Sequence, residues 1–252
     1  TVISDPLQRE EPMSWQNKGA TNYGQAIGIL MMDTVLQRVP GDIGNALTFP
    51  FPVAYKVVKA KSEAPRDADA HTVEAFVKAG LELEQECGVR AITTSCGFCA
   101  AFQKEVAARL HVPFFSSSLL QVRLVHSFLR PGQSVGILTY QADRLGESHF
   151  RGADMEDVPR VIFGMDDTYL GQVFDGRQEI IDAARIRIDM VRRAKEMVRL
   201  HPEVGIIVLE CTNMPPYAKA VQEAVGLPVF DITNLVKYVH DAVTAERYDG
   251  WF

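Results

Sequence analysis

The chain has no apolar run approaching the roughly 18 residues that a membrane span needs. Its first 24 residues, Thr1–Gly24, are polar and lack the apolar core of a signal peptide, so they read as an N-terminal extension. Basic clusters are equally scarce. The longest is Arg192-Arg193, and the formal net charge is −6, which makes nucleic acid and anionic membranes poor partners. Cysteine is sparse too: four in 252 residues cannot staple a disulfide scaffold. Reduced thiols in a cytoplasmic protein are the expectation. No cofactor fingerprint is visible. The six histidines (His71, His111, His126, His149, His201, His240) lack ligand spacing, and no second C-x-x-C exists, so neither a cofactor nor a metal is expected.

What is present is an ordinary globular composition, 47% hydrophobic and 23% charged, with strands alternating with helices. Apolar strand-length runs occur at residues 25–32, 91–94, 113–116, 134–139, 205–209 and 228–230. Helical spacing covers 71–87, 100–110, 179–200, 215–225 and 233–245, and the Pro- and Gly-rich stretch 37–53 reads as a long ordered loop that could cover a site. This pattern predicts an α/β fold with mainly parallel sheets.

The order also repeats. Gly28-Ile29-Leu30 recurs as Gly136-Ile137-Leu138, and Cys96 and Cys211 each follow an apolar strand. Each cysteine precedes a proline by 17 residues, and Pro113 and Pro228 each open a further strand. Internal duplication follows: two pseudo-symmetric lobes, one built from 25–120 plus 232–252 and the other from 121–231, each contributing one cysteine.

Ligands of parallel α/β sheets bind beyond the carboxyl ends of the strands, where both cysteines lie. A helix beginning just after each cysteine would lower its pKa and offer backbone N–H groups to a carboxylate. Two thiols on opposite sides of one cavity can remove and return a proton at a carbon beside a carboxylate. Cys87, at a helix end, reads as a small hydrophobe. Cys96-Gly97-Phe98-Cys99 admits a redox C-x-x-C as a rival, and Cys96, Cys99 and Cys211 a zinc site, but neither accounts for the repeat.

At Ser95-Cys96-Gly97-Phe98 and Leu209-Glu210-Cys211-Thr212-Asn213 the chain resembles the aspartate/glutamate/hydantoin racemase superfamily. The resemblance implies two pseudo-symmetric lobes and a cofactor-independent racemase or epimerase, with Cys96 and Cys211 as the acid/base pair. The implied substrate is an amino acid, hydantoin or related carboxylate, and the implied assembly a homo-oligomer. Asp33, Gly97, Phe98, Thr139, Thr212 and Asn213 fall at its substrate-contacting positions. Asp33 could orient Cys96, and Thr212 could cap a helix. Gly97, Phe98 and Asn213 depart from the family motifs and point to a bulkier or less polar substrate. The superfamily's malonate-type decarboxylases and maleate-type isomerases stand as alternatives.

Overall fold

β-branched and other apolar residues fill Ile27–Met32 (β1) and Ser134–Thr139 (β5), which sit at the centres of two sheets. In the computed structural model, which describes residues 22–59, 69–174 and 180–246, each sheet has four parallel strands. The first runs in the order β2 (Val53–Val58), β1, β3 (Ala91–Thr94), β4 (Phe114–Phe115). The second repeats that order as β6 (Arg160–Gly164), β5, β7 (Val204–Leu209), β8 (Val229–Phe230). The duplication thus extends to every strand, including the edge strands β2 and β6, which the sequence pattern did not reveal. Of the expected extension 1–24, only the last three residues fall among those described.

The helices follow the same logic. Asp69 caps α1 (Ala70–Cys87) through the Thr72 N–H, and Gly88 ends it in the left-handed region at φ 63°. Short helices α2 (Gln103–Ala107), α3 (Val122–His126), α4 (Glu147–Gly152) and α5 (Tyr169–Phe174) precede the long α6 (Ala183–Leu200), capped by Asp182. Gly28 and Gly136 occupy equivalent central-strand positions, where a Cβ would lie 2.9 Å from Leu83 of α1 and 2.5 Å from Met197 of α6. Both helices therefore press on their sheets at the same point, a packing solution used twice.

After α7 (Ala218–Val225), the chain returns to the first lobe. In α8 (Ile232–Val243), Ile232 and Val236 join Ile27 and Ile29 in one buried cluster. Among the described residues, no helix is long and apolar enough to cross a membrane.

Candidate active site

Both cysteines lie where expected, just past β3 and β7 at the carboxyl ends of equivalent strands. Each is partly buried. The two turns are tied together: the Thr212 hydroxyl donates to the Ser95 carbonyl at 2.6 Å. Ser95 in turn accepts the Met32 N–H through its Oγ, at 2.8 Å. Ser118 donates to the Leu209 carbonyl at 2.7 Å, a second bond between the lobes. The first of these bonds joins the residue before Cys96 to the residue after Cys211, so the two cysteine turns meet.

The helix ends do not play the part expected of them. Cys96 leads into a 3-10 segment, Gly97–Phe102, and Cys211–Asn213 is a turn before a short 3-10 piece, Pro215–Tyr217. Neither provides the aligned N-terminus of a long helix. Thr212 is no helix cap, because the next helical piece begins only after Met214; its hydroxyl donates to Ser95 instead. The Cys211 thiol is accordingly pushed well above its ordinary range, by burial first and then by Glu210; the Asn213 backbone N–H opposes the rise. Cys99 is fully buried in the first-lobe core and also raised, mainly by burial and then by its hydrogen bond to Cys96.

Glu210 is 1% exposed, and burial raises its carboxyl to about 7. Thr139 donates to its Oε2 at 2.8 Å, while Oε1 is buried with no hydrogen-bond partner. Gly97 makes room for this carboxylate: a Cβ there would fall 2.1 Å from Glu210 Oε1 and 2.3 Å from the Glu210 carbonyl oxygen.

A stability consequence follows from Glu210. Unfolded, it loses its proton near 4.5; folded, it keeps it to about 7. The stability it confers is complete below the unfolded value and is lost as pH climbs through the folded one, about 3 kcal/mol in all. Glu210→Gln should therefore flatten the fall in urea-unfolding free energy between pH 5 and pH 8. An unchanged slope would place the titration elsewhere.

Asn213 and Asp42 complete the site. Cys211 Sγ donates to Asn213 Oδ1 at 3.5 Å, and Asn213 Nδ2 donates to Asp42 Oδ2. Asp42 is only 3% exposed and lies in the long first loop, which is ordered as expected: Thr48 and Asn45 bond back across it to Asp42 and Arg38. The loop docks on the second lobe's cysteine turn, with the Ile43 N–H donating to the Thr212 carbonyl at 3.4 Å. Sequence reasoning missed Asp42, since it lies in a stretch without periodicity on the other lobe.

Of the anticipated residues, Gly97, Thr139, Thr212 and Asn213 come together around the two thiols. Phe98 does not project as free bulk. It is 4% exposed and packs against His149, with ring centroids 5.2 Å apart, in the core beneath β5 and β7. Asp33 is exposed at the end of β1, outside the buried network. No group of three or more His, Cys, Asp or Glu among the described residues could hold a metal ion.

No family model matches the chain. Curated relatives do. The chain is 29% identical to the dimethylsulfoniopropionate lyase of Durusdinium sp. clade D over 233 residues, covering 89% of this chain and 76% of the relative. It is also 29% identical to dimethylsulfoniopropionate lyase 5 of Emiliania huxleyi over 257 residues, covering 97% of this chain but only 50% of that protein. Among solved structures, allantoin racemase from Klebsiella pneumoniae superposes with a TM-score of 0.61 at 14% identity, covering 86% of this chain and 87% of that one. Unliganded arylmalonate decarboxylase does so with 0.57 at 15%, covering 89% and 94%. The fold is the one that these racemase and decarboxylase structures share. The expected racemase activity, an isomerase reaction, is corrected by the curated relatives, which are lyases.

Proposed function

We propose that the protein is a carbon–sulfur lyase that cleaves dimethylsulfoniopropionate or a close β-sulfonio carboxylate. The observation that carries this reading is the Cys211 turn, tied through Thr212 to the Cys96 turn of the other lobe, in a chain whose curated relatives are such lyases.

The substrate has a carboxylate at one end and a positively charged sulfur on the β-carbon. A lyase reaction begins with removal of a proton from the carbon beside the carboxylate, the same first step as racemisation. Here the electron pair left behind does not recapture a proton. It forms the carbon–carbon double bond, the carbon–sulfur bond breaks, and its pair departs on sulfur. The products are acrylate and neutral dimethyl sulfide, with the proton left on the base. The leaving group needs no protonation, so one base suffices where a racemase needs two groups.

We take Cys211 as the base. Its thiolate is desolvated and faces the Glu210 carboxyl and the Asn213 carbonyl, all of which make it hold a proton strongly. A strong base suits a weakly acidic carbon. We assign Cys96 to the opposite wall of the site, with Thr139 and Glu210 behind Gly97. Working thiols also need a reducing compartment, which a cytoplasmic setting supplies.

The test is purified protein with dimethylsulfoniopropionate, following dimethyl sulfide in the headspace and acrylate in solution. Equal release of both is expected. The rate should climb with pH through neutrality, because Cys211 must lose its proton to act. Silence with this substrate, together with carbon dioxide release from a disubstituted malonate, would overturn the assignment.

A further inference from the structure

Asp42 belongs to no motif, lies on the opposite lobe from Cys211, and is nonetheless nearly sealed from solvent. Each of its oxygens is committed. Oδ1 accepts from Arg38 Nη1 at 2.9 Å and from the Gly44 N–H at 2.8 Å, and Oδ2 accepts from Asn213. A carboxylate offers only acceptors, so the Asn213 amide must turn its NH2 group towards Asp42 and its oxygen towards Cys211. We propose that Asp42 is a positioning residue that locks the Asn213 amide with its oxygen facing the Cys211 sulfur.

The consequence concerns the strength of the base, and so this inference rests on the reading of Cys211 as the proton acceptor. An amide oxygen accepts S–H but repels a thiolate. Were the amide reversed, its NH2 group would donate to the thiolate and weaken it as a base. Asp42 thus denies the sulfur a side-chain donor, leaving it only the Asn213 backbone N–H. The other groups facing the sulfur are Glu210 and Cys96. Around Asp42 stand Arg38, Tyr55 and Tyr217; the two tyrosines are raised chiefly by their own burial.

Asp42→Asn gives the lock a defined reversal. Arg38 and Gly44 still require an oxygen at the Oδ1 position, so the new NH2 group must point at Asn213. The Asn213 amide then turns over and donates to Cys211. The measurement is the rate of Cys211 alkylation by iodoacetamide across pH, resolved by peptide mass spectrometry. It needs no substrate, so it stands apart from the lyase assignment. Asp42→Asn should raise that rate about tenfold at pH 7, the effect of one unit of pKa. The rising limb of the lyase pH profile should move to lower pH while the plateau falls.

Removing the charge of Asp42 would also favour a thiolate through space, and Asn213→Ala separates the two causes. This variant should itself speed alkylation, and adding Asp42→Asn to it should change little further. If Asp42→Asn acts equally strongly with Asn213 absent, or if neither single variant alters alkylation, the positioning role is wrong. Should Asp42→Asn fail to fold, Asp42→Ser is the second variant, and an alkylation rate in it that matches the unaltered protein would overturn the positioning role.

Discussion

Cys211→Ala should lower dimethylsulfoniopropionate cleavage by 10²–10⁴-fold, the usual cost of losing a positioned base. Its neighbours explain why no substitute steps in. Glu210 adjoins Cys211 in the chain, but it is held by Thr139 and buried behind Gly97. Asn213 and Thr212 cannot exchange a proton near neutrality. Cys96→Ala should cost distinctly less, since elimination uses one base. Initial rates of dimethyl sulfide release for the two variants, at matched folded content by circular dichroism, make the comparison. Equal collapse in both would mean that the thiols act as a two-group relay rather than through one base.

Gly97→Ala should be nearly as damaging, for a steric reason. The added methyl has nowhere to go: 2.1 Å to Glu210 Oε1 and 2.3 Å to the Glu210 carbonyl. A side chain can swing aside, but the carbonyl is backbone at the end of a core strand. The cysteine turns must separate, at a cost of about 1–3 kcal/mol for overpacking, occasionally more. Thr212 and Ser95 share a hydrogen bond across the same gap, so the displacement reaches both thiols. The expected result is a lower urea midpoint and a loss of activity larger than the stability change accounts for. A variant with native activity would show that the two turns are not held in contact.

Much of this architecture was legible beforehand because duplication leaves a record in the chain. The glycines of the central strands recur because each must admit a helix, and the cysteines recur because each ends an equivalent strand. The edge strands left no such record: Val53–Val58 follows a proline-rich loop and alternates exposed with buried residues, and Arg160–Gly164 is only half-buried throughout. The thiols were legible as a pair, but their electrostatics were not. A cysteine before a helical segment suggested a lowered pKa, whereas burial raises that of Cys211. Asp42 could not be found by pattern, because its partner lies 171 residues away. The reaction was misread for a chemical reason. Proton removal beside a carboxylate opens both racemisation and elimination, and the residues that perform it do not record what leaves next.

The long loop of the first lobe, seated on the cysteine turn of the second, has a consequence for how function is lost. Neither lobe owns the site. One supplies Cys96 and Asp42, the other Cys211, Asn213 and Glu210, and what aligns them is a seam of hydrogen bonds from Thr212, Ser118 and Ile43. Turnover then behaves as a coincidence detector. Each lobe can keep its sheet and its helices while the seam opens, and the chemistry stops at that moment. Under mild denaturant, activity should vanish before the helical signal does, making catalysis the most sensitive gauge of whether the two halves are together.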